Sequence, residues 1–163
     1  MTKTIPLTQG KVTLVDDEDF EWLNQWKWYH DKGYAARETA SRGKPQRKRI
    51  AMHRLIVDPP PGMETDHRNG DGLDNRRCNL RTCTHKQNSA NSGKSASASS
   101  RYKGVSWHRQ NRKWQSFIGV NGRRKYLGCF RSEEQAARAY NRAALILFGE
   151  FARLNSIPSP EAA

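Results

Sequence analysis

Asp66 and His67 stand side by side, Asn79 follows twelve positions after the histidine, and Asn88 lies nine beyond that. They sit in a stretch from Glu64 to Asn88 that crowds acids, amides, imidazoles and arginines together. A carboxylate and an amide offer the hard oxygens that a divalent cation such as Mg2+ or Mn2+ accepts. A neighbouring imidazole titrates close enough to neutrality to take a proton from water. The arginines around them suit a substrate that carries phosphates. Together these residue types make a set for hydrolysing a phosphodiester. A closed zinc site is the poorer reading. Cys78, Cys83 and His85 are close in sequence and Cys129 lies downstream, but no Cys-x-x-Cys pair exists and a structural zinc needs four spaced ligands. The cysteines read instead as small buried residues.

Positioning such groups needs strands and a helix of definite length. Met63–His67 is expected as a strand that ends in the acid-imidazole pair, Asn69-Gly-Asp-Gly72 as a tight turn, and Asn79–Arg81 as the lead into a second strand. Thr84-His-Lys-Gln87 has the form of a capping box, so a helix is expected from about residue 85, with Asn88 one turn inside it and facing the strands. Upstream, Ile5–Val15 reads as short strands about a Gly10 turn, Val12 and Leu14 alternating with polar neighbours. Asp16–Asp19 opens a short helix whose Phe20, Leu23 and Trp26 face a core. Trp26–Tyr29, Gly33–Arg37 and Lys48–Met52 are expected as strands, with Ser41–Arg49 a basic loop that is either a solvated hairpin tip or an arm for phosphates. Met52–Val57 reads as a short helix stopped by the prolines that follow Asp58. His53 on it reads as a structural residue bonding to a neighbouring loop.

The 163 residues carry a formal charge of +13, with 35% hydrophobic and 28% charged residues. Such an excess collects polyanions, nucleic acid first. No apolar run approaches a membrane span, the N-terminus lacks the apolar stretch of a signal peptide, and three cysteines do not build a disulfide framework. The expected setting is therefore a reducing cytoplasm, in a bacterium or a phage-infected host and associated with the nucleoid, with no membrane partner and no small-molecule cofactor. The charge is uneven: residues 101–155 hold 12 Lys+Arg against 3 Asp+Glu, residues 1–100 hold 17 against 12. The Ser/Gly/Ala tract between them reads as a linker.

Met52-His-Arg-Leu-Ile, Asp66-His67, Gly72-Leu-Asp-Asn-Arg-Arg-Cys-Asn-Leu-Arg81 and His85-Lys-Gln-Asn88 resemble the HNH family of phage and intron-encoded homing endonucleases. The leader from Ile5 to Phe20 is similar to the segment that often precedes that nuclease core. The resemblance covers most of residues 1–92. It implies a ββα-metal finger over about residues 52–92, in which Asp66 and Asn88 hold one divalent metal ion, with His85 as the runner-up ligand. His67 is then the general base, and Asn79 holds the loop and the imidazole in orientation.

The basic second part carries its own pattern. Three strands are expected at Tyr102–His108, Lys113–Val120 and Arg123–Phe130, the last two joined by Asn121-Gly122, the strongest short hairpin signal. A helix follows from Glu133 to about Phe148, capped by Ser132 and stopped at Gly149, with Ala136, Tyr140, Ala143 and Leu147 on one stripe. Tyr102-Lys-Gly-Val105, Lys113-Trp114, Tyr126-Leu-Gly-Cys-Phe130, Glu134–Tyr140 and Phe151-Ala-Arg-Leu-Asn155 resemble the apetala/ethylene-response-factor DNA-binding domain. That resemblance implies a sheet that enters the major groove of double-stranded DNA with a helix behind it. Lys103, His108, Trp114, Arg124 and Tyr126 match its groove-facing positions, and Arg123 belongs to the same basic rim. Trp107 and Phe117 are expected to fill the core.

The fold expected is thus α+β. It comprises a nuclease module over 1–92, a linker over 93–100, a three-stranded antiparallel sheet on one helix over 101–155, and a tail over 156–163. The function expected is a site-specific, homing-type DNA endonuclease. The second reading is a non-catalytic DNA-binding regulator that keeps the nuclease fold.

Overall fold

The computed structural model describes residues 1–39, 47–94 and 99–158. Most of the basic loop at 41–49, the centre of the Ser-rich linker and the end of the tail lie outside the described residues. The chain is α+β, with small antiparallel sheets and, among the described residues, four α-helices. It divides into two compact units, Met1–Asn88 and Ser89–Ala163. Among the described residues no helix is long and apolar enough to cross a membrane.

The first unit opens with a hairpin of β1 (Thr2–Pro6) and β2 (Val12–Asp16), followed by α1 (Asp17–Asn24). Three acids fill the first turn of α1, where the helix dipole favours negative charge, but Asp16 at the N-cap makes no side-chain capping bond within the helix. Its carboxylate instead accepts the backbone N–H of Arg77 at 2.7 Å. A three-stranded sheet of β3 (Tyr29–Asp31), β4 (Tyr34–Thr39) and β5 (Lys48–Ala51) leads into α2 (Met52–Val57). The first of these strands begins at Tyr29, later than expected. Trp26 and Trp28 precede it and pack edge to face, with the Arg37 guanidinium 4.1 Å above the Trp26 ring.

The prolines after Asp58 end α2, and β6 (Glu64–His67) pairs with β7 (Leu80–Cys83) before α3 (His85–Asn91) begins. The capping box is formed. Gln87 N donates to Thr84 Oγ1 at 3.3 Å, and the Gln87 side chain accepts the Thr84 N–H at 2.8 Å. One buried cluster serves the whole unit: Ile5, Leu7, Val15, Leu23, Trp28, Ala35, Met52, Ile56 and Leu80. Of these only Leu80 comes from the β6–β7 hairpin, so the hairpin and its long loop have no core of their own.

One reading of β2 is reversed. Val12 is half exposed, whereas Thr13 and Val15 are fully buried. Alternation in a strand fixes both faces at once. The inward face takes Thr13 because its hydroxyl serves the β6–β7 loop: it donates to Leu73 O at 2.7 Å and accepts from Asn75 Nδ2 at 2.7 Å.

In the second unit β8 (Val105–His108), β9 (Lys113–Val120) and β10 (Arg123–Phe130) form an antiparallel sheet in that order. The β9–β10 turn is two residues long, with Asn121 and Gly122 both at positive φ (51° and 74°), the conformation that such a turn demands. Helix α4 (Glu133–Phe148) packs on one face of the sheet, its first turn capped by the Ser132 hydroxyl accepting Gln135 N at 3.1 Å. Ala136, Tyr140 and Ala144 are its buried contacts, but Leu147 is 42% exposed, so the stripe expected to reach it ends short.

Asp19 on α1 ties the leader to the loop. Almost fully buried, it receives the Arg77 guanidinium on both carboxylate oxygens (2.8 and 2.7 Å) and the Trp22 indole N–H at 3.1 Å. Arg77 is itself half exposed, so its guanidinium can turn to water once the carboxylate is gone, but the hydrogen bonds to the buried Asp19 charge are lost. Asp19→Ala is expected to lower the unfolding free energy by about 1.5–3 kcal/mol, read by urea denaturation. Glu18→Ala, which removes the exposed partner of the same arginine, is expected to leave the midpoint unchanged. Equal effects of the two substitutions would contradict this account.

Candidate active site

The antiparallel register of β6 and β7 sets Asp66 opposite Arg81 and His67 opposite Leu80. Arg81 Nε and a terminal guanidinium nitrogen both reach Asp66 Oδ2, at 2.8 and 2.7 Å, and both side chains are buried. This charge-assisted pair holds the carboxylate in one orientation. Glu64 lies two residues before Asp66, on the same face of the strand. Its carboxylate receives Asn88 Nδ2 at 2.6 Å on one oxygen and His85 Nδ1 at 2.8 Å on the other. Asn88 thus faces the strands from α3, while His85 is largely exposed. The hydrogen bond from Asn88, then that from His85, hold the Glu64 carboxyl below its ordinary pKa.

His67 is buried at the end of β6. Its Nε2 lies 3.2 Å from Asn75 Oδ1. The His53 ring meets it edge-on with centroids 4.9 Å apart, and Tyr34 closes the same wall at 5.3 Å from His53 and 5.8 Å from His67. Gly72 brings the loop against this wall. A Cβ at that position would collide with Gly33 O and the Tyr34 ring, so no larger residue fits. Burial is the main cause that lowers the His67 pKa, opposed by the Asn75 hydrogen bond and the nearby carboxylates. The ring is therefore in its unprotonated form at neutral pH.

Asn79 holds the loop. Its Nδ2 donates to Asn69 Oδ1 at 3.0 Å and to Asp74 O at 2.8 Å, and its Oδ1 accepts Asn69 N at 3.0 Å. Asp74 in turn takes both Arg76 Nε and a terminal Arg76 nitrogen at 2.7 Å. The amide on the imidazole is that of Asn75. Sequence reasoning assigned no role to Asn75, Thr13, Glu64, Tyr34 or His53 in this site. Asn75 lay inside the quoted motif, but its partner Thr13 is 62 residues away.

The donor chemistry near β6 fits a hard cation that keeps most of its own waters: a carboxylate on Asp66 and an amide oxygen on Asn88, each side chain held by a hydrogen bond. Among the described residues no group of three or more His, Cys, Asp and Glu side chains is placed to hold a metal. Cys78 is exposed, Cys83 buried and Cys129 partly buried, all as free thiols.

In the second unit the residues expected at DNA divide between the two faces of the sheet. Ile118 packs on Tyr140 and Ala144 of α4, so its neighbour Phe117 points away from the helix. There Phe117 meets Tyr126 at 5.4 Å, with the Arg124 guanidinium 4.2 Å over the Phe117 ring. Phe117 therefore does not fill the core as expected. His108 shares this outward face by register. Trp114 instead packs beside Tyr102, Val105, Ala136 and Ala137, against the 40% exposed Trp107, and Arg123 lies opposite Val120 on the helix side. Lys103 donates to Ala90 O and Ser92 O at 2.7 and 2.6 Å, and burial pulls its pKa down to about 8.

Residues 58–90 match the model of the HNH endonuclease family. Over 152 residues the chain is 34% identical to an HNH endonuclease, itself uncharacterized, of Acanthamoeba polyphaga mimivirus, covering 91% of this chain and 77% of that protein. A shorter stretch is 44% identical over 59 residues to an APETALA2-like protein of Oryza sativa, and 43% identical over 61 residues to an AP2-like ethylene-responsive transcription factor of Arabidopsis thaliana. These stretches span 36–37% of this chain but only 13–14% of the plant proteins. No solved structure matches the chain.

The His53 imidazole yields a pH prediction. Burial, then the charges of His67, Arg54 and Arg49, lower its pKa to about 3. Its folded pKa lies below its unfolded value, so the unfolded chain takes up the proton first as pH falls. The associated stability is full above about pH 6.5 and is lost on acidification toward pH 3, by about 1.4 kcal/mol per unit. Unfolding free energies from urea titrations at pH 7 and pH 5 should therefore differ by about 2 kcal/mol from this residue alone. His53→Phe should flatten the difference, and an unchanged slope would refute the assignment.

Proposed function

The chain belongs to the HNH endonuclease family, and from that premise we propose that it is a site-specific, homing-type DNA endonuclease with one divalent ion and His67 as general base. The observation that carries the reading is the buried, neutral His67 beside the oriented Asp66 carboxylate on one short strand, with Asn88 facing that strand from α3. Asp66 and Asn88 would hold Mg2+ or Mn2+. Asn88 is favoured over His85 because it offers an oxygen donor and is half-buried, whereas His85 is a largely exposed nitrogen donor. When bound, the ion supplies positive charge to the phosphate as negative charge develops on it.

The work of the chain's own residues follows. His67 takes a proton from a water as the water oxygen attacks phosphorus. The P–O3′ bond breaks, leaving a 5′-phosphate and a 3′-oxygen that takes a proton from solvent. Arg81 keeps the Asp66 carboxylate in place, Glu64 does the same for Asn88, and Asn79 keeps the loop closed. The ring wall of Tyr34 and His53 keeps His67 partly dry, which holds it in its basic form.

The second unit supplies duplex binding in this reading. The outward face that carries Arg124, Phe117, Tyr126 and His108 combines charge with apolar surface, and such a face can meet phosphates and base edges in a major groove. Lys103 and Trp114 contribute by shaping the unit rather than by touching DNA. Arg124→Ala is expected to weaken duplex binding by about 1–3 kcal/mol, read by titration at fixed salt. Trp114→Phe should leave binding nearly unchanged.

The test of the activity is cleavage of supercoiled target DNA with Mg2+ or Mn2+, then with chelator. Chelation is expected to abolish cleavage, and His67→Ala to slow it about 100- to 10,000-fold. Binding without nicking under any divalent ion would favour a non-catalytic regulator.

A further inference from the structure

We infer that Thr13 and Asn75 are positioning residues that fix which ring nitrogen of His67 carries the proton, which makes strand β2 part of the nuclease machinery. The inference deepens the reading of His67 as general base.

Three hydrogen bonds in a row decide the tautomer. Thr13 Oγ1 lies 2.7 Å from Leu73 O. A carbonyl has no proton to give, so the single hydroxyl proton of Thr13 must point at Leu73. Toward Asn75 the hydroxyl can then only accept, which matches the 2.7 Å contact from Asn75 Nδ2. With its NH2 group turned to Thr13, Asn75 presents its carbonyl oxygen to His67 Nε2 at 3.2 Å. A carbonyl there requires Nε2 to carry a hydrogen, and Nδ1 of the neutral ring then carries the basic lone pair.

The opposite arrangement turns the amide over. It would put the Thr13 proton on Asn75 and leave two oxygens, Thr13 Oγ1 and Leu73 O, 2.7 Å apart with no proton between them. Thr13 and Asn75 are both fully buried, so no bulk water relieves that repulsion.

The backbone makes this arrangement rigid. Leu14 N donates to Leu73 O and Asn75 N donates to Leu14 O, each at 2.8 Å, so β2 zips onto the loop on both sides of the relay. A parallel bridge between Leu14 and Asp74 marks the same join. Asn75 is thus held by main chain as well as by side chain, and its amide has one orientation in which every partner is satisfied. The reversed facing of β2, Thr13 inward and Val12 outward, has its chemical reason here.

The test uses the full chain with 15N-labelled histidine. Long-range 1H–15N correlation at a pH where His67 is neutral should show the Nε2–H tautomer. An Nδ1–H pattern would overturn the inference without any variant being made. Thr13→Val keeps the shape and removes the hydroxyl. It should give mixed tautomers and lower kcat about ten- to a hundredfold with KM for DNA unchanged, the loss that removing a histidine's orienting partner brings in metal sites. Thr13→Ser should restore both the spectrum and kcat. A folded Thr13→Val variant with unchanged kcat, or a serine variant as impaired as the valine one, would overturn the inference. Failure of the base reading looks different: His67→Ala would then cleave like the parent protein, whatever the tautomer.

Discussion

The loop between β6 and β7 is too polar to bury itself, and the nuclease unit is built around satisfying it. From Arg68 to Asn79 only Leu73 and Cys78 are apolar. Everything else must find hydrogen bonds or face water. Asn69 and Asn79 bind each other and the loop backbone, Asp74 grips Arg76, and Arg77 reaches out to Asp19. Strand β2 supplies the remaining partners through the backbone of Leu14 and the hydroxyl of Thr13. In a buried network of this kind each bond strengthens its neighbours, and a missing one exposes the rest to desolvation. The leader hairpin and α1 are therefore what allows the hairpin to hold Asp66 and His67 in one geometry.

The parts of the fold governed by local rules were legible in the sequence. The Thr84–Gln87 box, the Asn121-Gly122 turn, the Ser132 cap and the Gly149 stop all depend on residues a few positions apart, and all are formed. The Asp66–His67 pair was visible for the same reason. What could not be read was long-range. The Thr13–Asn75 bond joins residues far apart in the chain, and hydrophobic alternation in β2 pointed the other way because Thr13 is buried for its hydroxyl. Likewise Phe117 and Trp114 are both aromatic residues in the same strand, and their types do not reveal which face meets α4. The register settles it, by placing Ile118 on the helix.

The two units solve different problems. In the first, polar groups are buried and oriented, and the surrounding rings of Tyr34 and His53 keep an imidazole uncharged. In the second, small side chains on α4 (Ala136, Ala137, Ala144) let the helix lie close on one face of the sheet, and on the opposite face a guanidinium stacks on an aromatic ring. In the function proposed, orientation of reacting groups is the task of the first and contact with duplex DNA that of the second. Family membership and the residue chemistry agree on phosphodiester hydrolysis as the outcome.

The central claim is that a water activated beside His67 attacks the phosphorus of DNA. Cleavage of duplex substrate in 18O-enriched water, with mass analysis of both new ends, tests it most directly. The account predicts a 3′-hydroxyl and a 5′-phosphate that carries one solvent 18O. A 3′-phosphate end, or a 5′-phosphate without label, would contradict it.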